Sequence, residues 1–247
     1  MRPRIKNRRR FFKACLSTAS LVAVHPSLLA QSGLQKKSYS KVLLNDESDR
    51  PITSEMIATD TCYIFHYPYI TTPCFLINLN SPAIPESDVT LANGDSYSWP
   101  GGVGPNKTLV AFSAICTHKL SYASRGSSFI NFRPEEVTYV GKDNITAKQS
   151  QLIYCCSERS VYNPAKGAVV LGGPASQPLT AIVLEHDEVS DHYYAVATLG
   201  GELFNEFFKR FAFRLALDWK NENIDMLCEK STRVYTAENY TENQINC

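Results

Sequence analysis

The sequence predicts an all-β, antiparallel domain followed by one C-terminal helix, and three observations carry that prediction. From about residue 60, apolar and β-branched residues gather in short runs: "CYIFHYPY", "PCFLINL", "TLVAFSAI", "EVTYVG", "QLIYC", "AVVLGG", "LTAIVLEHD" and "HYYAVAT". Turn formers separate the runs, among them Asn93-Gly94, "WPGGVGPN", Gly126 and Gly172-Gly173-Pro174. After Gly201 the period changes, with Leu203, Phe207, Phe211 and Leu215 recurring every four residues and Phe204 and Phe208 beside them.

In chain order, residues 1–30 look like an export leader. Asn7 is followed by Arg8, Arg9, Arg10, the apolar pair Phe11-Phe12 and Lys13, which fits the twin-arginine pattern. The weakly apolar "ACLSTASLVAV" that follows is too short to span the ~30 Å hydrocarbon layer of a bilayer. Cleavage after Ala30 and release into the periplasm are therefore expected, with retention of the leader as a membrane anchor the alternative. A basic nucleic-acid-binding arm is the competing reading of the same charges. Residues 31–54 are polar and aperiodic and predict a linker. Residues 55–200 hold the β runs, and 201–247 the helix and an extended, polar tail. The helix is expected to pack on the β domain, with a docking face for a partner subunit as the sharper alternative.

The 247 residues carry 25 basic and 24 acidic side chains, so a net charge of +1 gives no argument for nucleic acid as a partner. Of 8 cysteines, Cys15 falls in the leader. Export permits disulfides. Cys228 with Cys247, and Cys62 with Cys74 across a hairpin, are candidate pairs, each thiol alternatively buried and free.

Two loops concentrate the chemistry. "SAICTHKLSY" at 113–122 sets Cys116 and His118 two residues apart, within reach of one metal centre. "LIYCCSERSVYNP" at 152–164 has adjacent Cys155 and Cys156, then Glu158, Arg159, Ser160 and Tyr162. Singly, Cys116 reads as a buried thiol and His118 as a satisfied loop histidine. His66, His186 and His192 have no metal-type spacing, although His66 is conceivable as a further ligand. Between the loops, "SSFINFRPEEVTYVGKDN" predicts an added hairpin or flap that shields the site or meets a partner.

These loops, with "YPYITTPCFLINL", "GGVGPNKTLVAFSAICTH", the "YNPAKGAVVLGGPA" run and "LEHDEVSDHYYAVATLGGEL", resemble Rieske iron–sulfur proteins over roughly residues 60–205, most of all the small Rieske subunit of arsenite oxidases. The resemblance implies a Rieske-type β fold and a [2Fe-2S] cluster with two thiolates on one iron and two imidazoles on the other. It implies Cys116 and Cys155 as the thiolates and His118 as an imidazole. Ser160 and Tyr162 match hydroxyls that hydrogen-bond cluster or ligand sulfur and raise the potential.

The chain departs from the family pattern at three positions. Ser121 and Ser157 stand where much of the family has a loop-joining disulfide, and Glu158 stands where the second histidine belongs. Four accounts follow. Glu158 ligates iron through oxygen; Cys156 swings in as a third thiolate; the register slips so that Cys156 is the thiolate and Arg159, which cannot ligate, takes the histidine place; or no cluster binds. The resemblance implies an exported single-electron carrier. It is not catalytic alone, and it relays between a catalytic subunit or quinol site and a cytochrome or similar acceptor. The alternative is a cluster-free Rieske-fold interaction or assembly module in the periplasm.

Overall fold

Short extended segments, the central ones buried on both faces, organise residues 36–247, the part of the chain that the computed structural model describes. The leader and its expected cleavage site lie outside those residues. The strands are β1 (Lys36–Asn45), β2 (Thr61–His66), β3 (Pro73–Asn78), β4 (Glu86–Thr90), β5 (Ser96–Trp99), β6 (Leu109–Ser113), β7 (Ile130–Arg133) and β8 (Val137–Val140). They continue with β9 (Thr146–Gln149), β10 (Leu152–Cys155), β11 (Ser160–Asn163), β12 (Val169–Gly172), β13 (Ala181–Asp187), β14 (His192–Leu199), β15 (Ser231–Arg233) and β16 (Tyr235–Thr236). Helix α1 spans Phe204–Trp219, and α2 is one turn, Ala237–Tyr240. The all-β expectation with a C-terminal helix holds.

Eight strands form one sheet in the order β15-β1-β14-β13-β6-β3-β2-β16, and four form a second in the order β12-β11-β10-β7. Neighbours run antiparallel except β1 and β15. Strand periodicity sends successive side chains to opposite faces. Phe75, Ile77, Val110 and Phe112 therefore point into the core that also holds Ile130, Ile153 and Tyr162 of the small sheet. Cys74, Leu76, Leu109 and Ala111 enter a second core on the other face of the large sheet. Both candidate loops leave the first core, which contains Cys116 and Cys155.

Several expectations need correction. The linker expected at 31–54 contains β1, because Val42 and Leu44 alternate into the second core while the first half of the strand stays mostly exposed. The polar tail is integral to the large sheet: β15 lies along β1, and β16 pairs with β2. Cys62 pairs in register with Ile77, and Cys74 with Phe65, so those two thiols never face one another and both stay free. Cys74 donates to the Tyr67 carbonyl at 3.0 Å. Cys228 is buried and donates to the His66 carbonyl at 3.4 Å, leaving Cys247 to another partner. The expected flap divides in two. Residues 130–133 are the core strand β7, while the β8–β9 hairpin packs Val137 and Tyr139 with Leu152, Tyr154 and Val161, the sheet face opposite Cys155. The hairpin therefore covers the back of the site's sheet.

Helix α1 packs on the β domain through Phe204, Phe207 and Leu215, which meet Ile115 and Tyr122. Phe213 and Leu217 stay exposed on its other side. Its C-terminal Trp219 meets His66 edge-on at 4.7 Å. Burial, with the nearby Arg125 charge, pushes His66 down to about 3. Its Nε2 hydrogen-bonds the Tyr240 hydroxyl at 3.0 Å, which engages the ring in structure and away from ligation.

An acid-lability prediction follows. A histidine whose folded value lies below its unfolded value of about 6.5 contributes stability above pH 6.5 and loses it as pH falls toward 3. Urea melts are expected to lose up to ~1.4 kcal/mol per pH unit through this window from His66. The slope should shrink in His66→Gln, and an unchanged slope contradicts the assignment.

Candidate metal-cluster site

The first loop is narrow because its neck is closed by backbone bonds. The Cys116 N–H donates to the Ser121 carbonyl at 2.8 Å, the Leu120 N–H donates to the Cys116 carbonyl at 2.9 Å, and Leu120 turns the chain at φ +58. Cys116 stands at the neck, with Thr117, His118 and Lys119 toward the tip. In the second loop, Cys155 of β10 pairs directly with Ser160 of β11, so residues 156–159 make the turn, with Arg159 at φ +59. Directly opposed residues share a face. Cys155, Ser160 and, two residues on, Tyr162 are therefore presented together, and Cys156 is turned to the other side. Gly173 lets the following chain pass beneath this turn: at φ +78, a Cβ there would sit 2.2 Å from the Arg159 carbonyl oxygen.

The two loops bring their sulfurs together. The Cys116 and Cys155 side chains come close enough to shift one another's protonation in opposite directions. The backbone amides of His118 and Lys119 favour the charged form of Cys116, and those of Ser157 and Glu158 favour the charged form of Cys155. The Tyr162 hydroxyl lies 3.3 Å from Cys116 Sγ, accepts from the Thr117 N–H at 3.2 Å and meets Thr117 Oγ1 at 3.1 Å. Thr117 Oγ1 is itself fixed, donating to the Gln177 carbonyl at 2.8 Å. The Cys155 thiol, then Tyr162 and the amides, push Cys116 below its usual value against the cost of burial. Cys155 is driven up by the same contact and by burial. Burial, then the charge on Cys116, holds the Tyr162 phenol well above its usual value. Of the pair, Cys116 is the sulfur that gives up its proton more readily, and two backbone amides favour negative charge on each.

His118 Nδ1 and Ser160 Oγ are buried without a hydrogen-bond partner. Leaving such a group unpaired costs about 1–3 kcal/mol. Sulfurs whose charge backbone amides favour, a hydroxyl on one sulfur, an unpaired imidazole nitrogen and an unpaired serine together fit the donor chemistry of a mixed thiolate–imidazole cluster. Among the described residues no three His, Cys, Asp or Glu side chains stand as ligands of one ion. A two-iron cluster takes two protein ligands on each iron.

The fourth position narrows. Cys156 is joined to Cys247 in a disulfide, with Cα atoms 5.7 Å apart. Its sulfur is thus consumed, and in this structure it serves neither as a third thiolate nor as the slipped thiolate of the alternative register. Glu158 has an ion pair with Lys119 that spans the two loops. The Lys119 hydrogen bond and charge, with a smaller contribution from His118, hold the Glu158 carboxyl below its usual range. Glu158 is thus an ionised oxygen donor in the field of His118. Sequence reasoning missed Lys119 and Thr117, and gave Cys247 the wrong candidate partner in Cys228. Opposite charges at the two loop tips were the available signal for Lys119. Nothing in the spacing indicated that a C-terminal cysteine would reach position 156.

No protein-family model matches the chain. Among solved structures, the soluble domain of the Rieske protein II from Sulfolobus acidocaldarius is similar to it, at 23% sequence identity over 65% of this chain and 78% of that one, with a TM-score of 0.44.

Proposed function

We propose that this chain holds a [2Fe-2S] cluster between its two loops and relays single electrons between partner proteins. The observation that carries the reading is the convergence of Cys116 and Cys155 in one core, with the Tyr162 hydroxyl 3.3 Å from Cys116 Sγ and His118 Nδ1 buried without a partner. Cys116 and Cys155 would ligate one iron, and His118 with Glu158 the other. When bound, such a cluster accepts and returns one electron at a time. The four amides and the Tyr162 hydroxyl stabilise negative charge on the sulfurs, which favours the reduced state. Replacing an imidazole by the Glu158 carboxylate adds negative charge and opposes that effect. Lys119 offsets part of it from outside, since its ammonium stays with the carboxylate.

The loop pattern supports a finer reading: an exported subunit, delivered by the twin-arginine route, that serves a molybdenum-containing oxidoreductase of the arsenite-oxidase type or a similar respiratory complex. Its partners are a catalytic subunit or quinol site on one side and a cytochrome or similar acceptor on the other. The rival reading, a cluster-free interaction or assembly module, draws on two contacts: the Cys116–Tyr162 and Lys119–Glu158 pairs each give a candidate ligand a partner without metal.

Spectroscopy separates the two. Dithionite-reduced protein purified without oxygen should give the electron paramagnetic signal of a spin-coupled ferric–ferrous pair, whereas a silent and colourless protein supports the rival. Within the first reading, Tyr162→Phe removes the hydroxyl at Cys116. A hydrogen bond to a charged group contributes ~1.5 kcal/mol, equivalent to about 60 mV for one electron, so the potential should fall by up to that amount. Protein-film voltammetry measures it, and an unchanged or higher potential rejects the assigned role of Tyr162.

A further inference from the structure

We infer that the Cys156–Cys247 disulfide is a redox-operated latch: it straps the C-terminal segment beside residues 124–131 and so fixes the turn that presents Cys155 to Cys116. The strap is laid down by a row of hydrogen bonds. Thr241 Oγ1 donates to the Ser124 carbonyl at 2.8 Å, and the Glu242 N–H donates to the Arg125 carbonyl at 2.8 Å. The Ser128 N–H donates to the Asn243 carbonyl at 2.9 Å, and the Ile245 N–H returns to the Ser128 carbonyl at 2.8 Å. Asn131 Nδ2 donates to the Ile245 carbonyl at 3.0 Å. The strapped segment runs into β7, whose Ile130 pairs with Cys155, and the Cys156 N–H donates to the Phe129 carbonyl at 2.7 Å. Strap, β7 and the Cys155 turn therefore form one continuous hydrogen-bonded unit, closed covalently at its far end.

The strap has little else to hold it. Beyond the buried Thr241, residues 242–247 are polar or exposed, so without the covalent tie only those hydrogen bonds would hold them to the domain. Cys247 is exposed and Cys156 partly so, whereas Cys74, Cys116, Cys155 and Cys228 are buried. A soluble reductant can therefore reach this disulfide without opening either core. Closure needs a disulfide-bearing oxidant, protein or small molecule. One cysteine thiolate attacks that disulfide to give a mixed disulfide; the second thiolate then displaces the carrier. Two electrons pass to the oxidant, which leaves as two thiols, and a dithiol reductant reverses both steps.

The inference bears on the cluster proposed above, but its readout needs no iron, so the two can fail separately. The test is thiol-labelling of the purified full-length chain with iodoacetamide, resolved by peptide mapping. Three forms are compared: oxidised, mildly reduced, and the double variant Cys156→Ser/Cys247→Ser. In the oxidised form, peptides bearing Cys156 and Cys247 should be recovered cross-linked. Cys116 and Cys155 should label at least about tenfold faster in the reduced form and in the variant, as expected for a locally opened unit. Cys74, in the core on the other face of the large sheet, should keep its rate. Free Cys156 and Cys247 thiols in protein trapped without reductant overturn the latch. So do Cys116 and Cys155 rates that are unchanged, or a parallel acceleration of Cys74, which marks general unfolding instead. If the variant fails to fold, the reduced wild-type chain supplies the same comparison.

Discussion

On the proposed cluster, Cys155→Ser is expected to strip at least about nine-tenths of the iron that the chain takes up, whereas Cys156→Ser, which opens the latch but removes no proposed ligand, should lose much less, as for a supporting contact. The two cysteines are neighbours in sequence but not in role. Cys155 lies across from Ser160, points into the core with Tyr162 and meets the Cys116 sulfur. Cys156 packs on the other face, near Val161 and Tyr154, and is tied to Cys247. Cys156→Ser should instead reduce stability, by ~2–4 kcal/mol for a native cross-link closing a long loop. Iron content per folded chain and urea melts measure the two effects. Equal iron loss in both variants contradicts this division.

The second large effect is expected at Phe207. Its side chain is fully buried and stands edge-on to Tyr122 at 4.9 Å, with Phe211 at 5.4 Å. Tyr122 and Ile115 flank the first loop, so α1 buttresses the neck that positions Cys116. Phe207→Ala should destabilise the chain by ~3–5 kcal/mol through lost burial and the cavity left behind. Loss of the support should also loosen the Cys116 loop, so any iron retained should leave faster on challenge with a chelator. Phe213→Ala serves as the control, because that ring is 80% exposed and its truncation should change stability by less than ~0.5 kcal/mol. Similar losses from both substitutions would refute the buttress.

How far the sequence disclosed this arrangement depended on whether the deciding force was local. Runs such as "TLVAFSAI" and "LTAIVLEHD" gave β6 and β13, because short apolar runs bounded by turn formers are written directly into residue order. The four-residue recurrence of Leu203, Phe207, Phe211 and Leu215 gave α1, and Phe207 and Leu215 are buried as that stripe requires. Lys36–Asn45 was missed because its first half is polar, and only long-range pairing with β14 makes it a strand. The tail was missed for the same reason, since β15 and β16 find partners far away in sequence, at β1 and β2. The Cys156–Cys247 bond spans 91 residues, and spacing holds no information about which distant thiols meet. Within the loops, the residue types of Cys116, His118, Cys155, Ser160 and Tyr162 were legible in order. The Lys119–Glu158 pair was not, because it forms only once two separate turns are brought tip to tip.

The account stands on chemical analysis of the chain itself. Protein matured with an iron and sulfide supply, purified without oxygen and freed of loosely held metal should contain about two irons and two acid-labile sulfides per chain. Recovery of neither element, from protein that melts cooperatively and keeps its β-rich circular dichroism, would contradict the electron-carrier reading and leave the loops as a scaffold alone.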